Sequence, residues 1–112
     1  MKSNILKLHQ KIVDCNLSFA DHLSYLKNRI ESLEGTNTFI TKTLKDHNAE
    51  WFQKNLPDNK KNLLYGIPYT LKDNFATKDI LTTGASKFLQ NFIPPYSSTV
   101  YEILKQKGTV LL

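Results

Sequence analysis

The chain is poor in the residues that build disulfide, metal and phosphate sites. A single cysteine, Cys15, excludes an internal disulfide and fits a reducing compartment. The three histidines, His9, His22 and His47, lie far apart and have no second cysteine to join them, so no metal site is expected. The four glycines form no glycine-rich phosphate loop, so no cofactor is expected to bind this chain. No apolar run approaches the roughly 20 residues that a membrane span needs. The stretch Ile5 to Val13 is broken by Lys7, His9, Gln10 and Lys11, which argues against a signal peptide. These absences together give the expectation of a cytoplasmic protein with no membrane contact. Neither an internal repeat nor a low-complexity segment is present.

The 112 residues suffice for one small domain and no more. A net charge of +5 would permit contact with RNA, but the lysines are spread along the chain, as on any solvated surface. Residues 42–61 interleave lysines with Trp51 and Phe52. Those aromatics fall on the apolar face of an expected helix, so they read as core, and no direct nucleic-acid site is identified.

Ser3 or Asn4 can cap a first helix over Ile5 to Asp14, with Ile5, Leu8 and Ile12 on one face. Ser18 and Asp21 have capping-box spacing. From there Phe19, Leu23, Leu26, Ile30 and Leu33 recur every three or four residues, and Gly35 reads as the C-cap. Asn37 to Ile40 reads as an extended link. A third helix is expected over Thr43 to Lys54, carrying Leu44, Trp51 and Phe52 inward, with an exposed loop from Asn55 to Asn62 around Pro57. Further on, Ser86 to Phe92 reads as a short helix stopped before Pro94-Pro95. Ser97 or Ser98 caps a last helix, Thr99 to Lys107, with Val100, Ile103 and Leu104 apolar and Gly108 at its end. Helix, glycine and then Val110-Leu111-Leu112 reads as the second half of a crossover between parallel strands.

Between these helices lies Gly66-Ile67-Pro68-Tyr69-Thr70-Leu71-Lys72-Asp73-Asn74. Ile67, Tyr69 and Leu71 share one face and Thr70 and Lys72 the other, the period of a strand. Lys72 stands near its C-terminal end, the edge at which ligands bind in open α/β sheets. A lysine there can be catalytic or can simply be a solvated charge, and the residues alone leave both readings open. Asp73 and Asn74 are expected to hold the loop that follows through bonds to nearby backbone.

This lysine stretch is followed by Thr82-Thr83-Gly84-Ala85-Ser86-Lys87 and by Asn91-Phe92-Ile93-Pro94-Pro95-Tyr96-Ser97-Ser98-Thr99-Val100. The succession resembles the amidase signature family, and within it the ammonia-supplying subunits of tRNA-dependent amidotransferases. The resemblance implies that Lys72 belongs to a Ser–Ser–Lys triad and draws the proton from a nucleophilic serine by way of a second serine. Both serines belong to a Gly/Ser-rich region that these 112 residues lack, and Ser86, Ser97 and Ser98 stand in the wrong motifs. It further implies glutamine as ammonia donor, the B and C subunits as partners, misacylated Glu-tRNA(Gln) or Asp-tRNA(Asn) as the substrate of the complex, and ATP bound elsewhere in that complex. Thr82, Thr83 and Ser86 would shape the site, pack or cap, and Tyr96 would anchor packing. A stand-alone amidase and a non-catalytic interaction module remain the other readings.

The expected fold class is therefore α/β: N-terminal helices, then the first strands and crossover helix of an amidase-signature mixed-sheet domain. Residues 1–56 form a helical wrap and residues 57–112 the start of the α/β core. The apolar end at Val110-Leu111-Leu112 reads as an N-terminal fragment, inactive by itself. The four-and-three stripe carries its own prediction. Leu26→Ala or Ile30→Ala should cost about 2–5 kcal/mol in urea unfolding, and Lys27→Ala, on the other face, no more than about 0.5 kcal/mol. Equal losses from both faces would contradict a buried stripe.

Overall fold

The computed structural model describes residues 4–112, so Ser3 lies outside the described residues. Helix α1 covers Asn4–Val13. It buries Ile12, half-buries Leu8 and leaves Ile5 exposed. Cys15 takes a left-handed turn, and the N–H groups of Asn16 and Leu17 both close on the Lys11 carbonyl, at 3.0 and 3.2 Å. Helix α2, Phe19–Glu31, starts as its sequence indicates, with the Asp21 N–H donating to Ser18 Oγ at 3.1 Å. The reciprocal arm of the capping box is replaced: the Ser18 hydroxyl donates to the Asp21 carboxylate at 2.6 Å. Aspartate is one methylene shorter than the glutamate that usually returns to the cap N–H.

Phe19, Leu26 and Ile30 are buried and Leu23 and Leu33 half-buried, so the stripe is the inner face of α2. The helix ends at Glu31, short of Gly35. Tightened turns continue it, with Leu33 N–H to Ile30 O at 3.0 Å and Glu34 N–H to Glu31 O at 3.1 Å. Gly35, at φ +88°, closes those turns and not the helix itself.

The third helical region differs from its expectation in three ways. A 3-10 turn, Leu44–Asp46, precedes a break at His47 and Asn48, and α3 then runs Ala49–Asn59. Asn48 accepts the Trp51 N–H at 3.0 Å, because its short amide serves a helix start better than an interior. The break also frees His47 to reach the Leu111 carbonyl at 2.9 Å, which Thr43 Oγ1 binds at 2.9 Å. Secondly, α3 passes through Pro57 where a loop is expected. Burial of Leu56 beside Phe52 holds that turn although Pro57 removes one backbone bond. Thirdly, Trp51 is 53% exposed, whereas Phe52 is buried and Leu44 packs against the core as expected.

Strands β1, Pro68–Tyr69, and β2, Val110–Leu111, pair in parallel, with Pro68 opposite Val110 and Tyr69 opposite Leu111. Pairing thus covers two residues of the longer strand expected over Gly66–Asn74. Helix α4, Thr99–Gln106, leads into β2, with Ser98 as cap and Gly108 turning at φ +66°. Ser86 caps only a 3-10 turn, Lys87–Leu89, and not a helix reaching Phe92. The result is an α/β arrangement of four helices and one short parallel sheet among the described residues.

The core gathers Ile12, Phe19, Leu26, Phe52, Leu56, Tyr65 and Val110. Phe19 stacks on Phe52 at 5.1 Å between centroids and meets Tyr65 edge-on at 5.8 Å. Tyr65 donates to the Phe52 carbonyl at 3.0 Å, and burial pushes its phenol up to about 12, so it keeps that proton. Gly66 lies directly against this cluster at φ +73°, where a Cβ would stand 2.6 Å from a Phe19 ring carbon. His22, on the inner face of α2, donates from Nε2 to the Gly66 carbonyl at 3.0 Å. A carbonyl only accepts, so the ring carries its proton on Nε2.

This junction generates two predictions. Gly66→Ala combines left-handed strain with overpacking and should cost about 2–4 kcal/mol in urea unfolding. Gly84→Ala, at φ +58° in open space, should cost only about 1 kcal/mol. The second concerns pH. Burial holds His22 and His47 below the ordinary histidine value of 6.5, outweighing the carbonyl bonds that raise it. As pH falls through 6.5 the unfolded chain therefore binds protons that the folded chain refuses, and stability falls with it. The urea midpoint should fall likewise, and His22→Gln, which keeps a donor, should flatten the slope.

Candidate functional site

Lys72 lies three residues past β1, on the C-terminal side of the parallel pair. The strand alternation persists to this point. Ile67 is buried and Tyr69 and Leu71 half-buried, whereas Thr70 and Lys72 are exposed. Lys72 lines a cleft of about 560 Å³ between the strand end and the segment of residues 38–43, with Leu111 and Leu112 among its walls. Its ammonium makes no hydrogen bond or ion pair with any described residue.

Asp73 behaves differently from its expectation. It does not serve the residues immediately after it but reaches the second motif, ten positions on. Its carboxylate accepts the Thr83 N–H at 3.0 and 3.1 Å, the Thr83 hydroxyl through a short bond, and the Ala85 N–H at 3.5 Å. The backbone repeats the link, with Gly84 N–H donating to the Asp73 carbonyl at 2.9 Å. Asn74 is exposed, and its side chain makes no bond among the described residues. The second motif thus divides its labour: Thr83 joins Asp73, Thr82 bonds back to the Ile80 carbonyl at 3.1 Å, and Ser86 caps the 3-10 turn.

The third motif docks on the segment between the first two. Ser98 N–H donates to the Ala76 carbonyl at 2.7 Å, and Lys78 N–H to Ser97 Oγ at 2.9 Å. Asp79 N–H donates to the Pro94 carbonyl at 3.1 Å and Thr82 N–H to the Phe92 carbonyl at 3.0 Å. Pro94 is fully buried in this contact. Tyr96 is not the anchor it was expected to be, since it is 59% exposed. Three motifs separated along the chain form one hydrogen-bonded unit, which the first motif enters through Asp73, directly after Lys72.

The sequence pattern places Lys72 but does not show the Asp73–Thr83 link, because a bond across ten residues of irregular chain leaves no periodicity. The only available signal is an acid directly after the lysine and a hydroxyl pair in the next motif. The backbone-directed roles of His22, His47 and Thr43 are equally invisible. Of the lysines in residues 42–61, Lys42 pairs with Glu34 at 2.7 Å and holds its carboxyl below the usual range. No helix among the described residues is long and apolar enough to cross a membrane.

A family model described as Amidase matches residues 21–112. The A subunit of glutamyl-tRNA(Gln) amidotransferase from Mycoplasma pneumoniae is 41% identical over 113 aligned residues, covering 100% of this chain and 23% of that protein. The protein of the same name from Pelobacter propionicus is 41% identical, covering 95% of this chain and 22% of that protein. That from Sulfurisphaera tokodaii is 38% identical, covering 96% of this chain and 23% of that protein. The chain therefore spans less than a quarter of the length of these curated relatives.

Proposed function

Since the chain belongs to the amidase family, we propose that it supplies the lysine-bearing part of the glutamine-hydrolysing subunit of a tRNA-dependent amidotransferase. The observation that carries this reading is the position of Lys72: three residues past β1, on a cleft, and next to Asp73, which ties the first motif to the second. The names of the relatives, each the A subunit of a glutamyl-tRNA(Gln) amidotransferase, favour the amidotransferase over a stand-alone amidase.

In the proposed reaction a serine hydroxyl attacks the side-chain amide carbon of glutamine. Lys72, unprotonated, takes the hydroxyl proton through a second serine. Backbone N–H groups hold the oxyanion, the C–N bond breaks, and the proton passes to the departing nitrogen, which leaves as ammonia. Water then hydrolyses the acyl-enzyme to glutamate. Both serines lie outside these 112 residues on this reading, so residues 1–112 alone hydrolyse no glutamine. The ammonia goes to a partner protein that amidates misacylated Glu-tRNA(Gln) or Asp-tRNA(Asn), with ATP bound outside this chain, in the cytoplasm.

The test is a graft of residues 1–112 in place of the matching segment of the Mycoplasma pneumoniae relative, assembled with the other proteins of its complex. Lys72→Ala should lower glutamate release from glutamine by at least about 100-fold while the complex still assembles. Lys72→Arg should not restore it, because guanidinium gives up no proton at working pH. Substantial glutaminase activity in Lys72→Arg would overturn the assignment of a general base.

A further inference from the structure

We propose that Asp73 and Thr83 are positioning residues for the glutaminase reaction, setting the direction in which Lys72 leaves the sheet. The inference rests on the reading of Lys72 as general base and goes beyond it, by naming what aims that base. Among the described residues, sheet pairing reaches only as far as the bond from Leu112 N–H to the Tyr69 carbonyl, at 3.0 Å. Thr70, Leu71 and Lys72 continue past it without strand structure, so β1 alone does not hold the lysine.

The next fixed point is Asp73, the residue directly after the lysine. Its backbone carbonyl is held by Gly84 N–H at 2.9 Å and its carboxylate by the N–H and hydroxyl of Thr83. The Lys72 carbonyl accepts Phe75 N–H at 3.0 Å, which closes the turn from the other side. Both ends of the Lys72 peptide segment are therefore tied, one to β2 and one to the second motif. Thr83 is itself buried, 6% exposed, and its hydroxyl also accepts the Ala85 N–H at 3.1 Å. A single hydroxyl thus both orients the carboxylate and shapes the left-handed turn at Gly84 and Ala85.

An ordinary turn brace would hold the loop of residues 82–86 and leave the chemistry alone. A positioning pair does more, because a displacement of about 1 Å at a reacting group can cost about 100-fold in rate. Neither Asp73 nor Thr83 needs to touch glutamine for this, so binding should be spared. The geometry further requires a hydroxyl at position 83 but not its methyl group.

The experiment measures kcat and KM for glutamine, per folded molecule, in the grafted complex. Thr83→Val removes both bonds of the hydroxyl, to Asp73 and from Ala85 N–H, and keeps the Thr83 N–H on the carboxylate. The expected result is a fall in kcat of about 100-fold for Asp73→Asn and about 10-fold or more for Thr83→Val, with KM unchanged. Thr83→Ser should restore most of the rate. A Thr83→Val complex with full kcat per folded molecule and only a lowered urea midpoint would reduce the pair to a brace and overturn the proposal. Lys72→Ala, run alongside, separates the two ideas. An active Lys72→Ala overturns the general-base reading, whereas an inactive Lys72→Ala beside a fully active Asp73→Asn overturns the positioning role alone.

Discussion

The peptide unit at Gly66 is the constraint on which the rest of the structure depends. Its N–H donates to Gly108 O at 2.8 Å, its carbonyl accepts from His22 at 3.0 Å, and its α-carbon rests on the Phe19 ring. Helix α2, the turn that leads into β2 and the start of β1 therefore meet at one residue without a side chain. The same logic recurs at Gly108, where a Cβ would stand 2.5 Å from Tyr65. Two glycines let two backbones approach an aromatic cluster more closely than any other residue permits. The direction of β1 is set by that approach.

Stability and the site draw on different forces. The buried cluster lies between α1, α2, α3, Tyr65 and Val110, and the motif unit contributes none of its members. On the other side, Phe88, Ile93, Val100 and Ile103 are exposed, so little apolar burial supports the loops around Lys72. Those loops are held by polar bonds instead. A hydrogen bond to an ionised group contributes about 1.5–3 kcal/mol, against about 0.5–1.5 for a neutral one. The Asp73 carboxylate, taking the N–H and hydroxyl of Thr83 together, ties the first motif to the second where apolar burial is slight.

How far the sequence could be read follows from this division. Helix starts were legible at Ser18 and Ser98, because a cap bonds within three residues of itself. The inner face of α2 was legible for the same reason, a spacing of three and four. The end of α4 before Gly108 was legible too, but two other ends were not: α2 stops before Gly35, and α3 passes Pro57 because Leu56 is buried, which is a tertiary cause. The strand pattern located Lys72 but overstated the pairing, since alternation records which face is wet and not whether a partner strand lies beside it. Bonds from His22 to Gly66 and from Asp73 to Thr83 depend on where distant segments come to rest. No local pattern encodes them.

The exposure of Lys72 divides what these residues supply from what they do not. A lysine acts as a base only when its charged form is disfavoured, and withdrawal from water is the ordinary way to achieve that. Here the sheet and the Asp73–Thr83 tie fix the lysine's backbone, while its side chain stands exposed in an open cleft. Position and environment are thus separable contributions. The residues described provide the first, and on the proposed reading the second comes from the part of the subunit that carries the two serines.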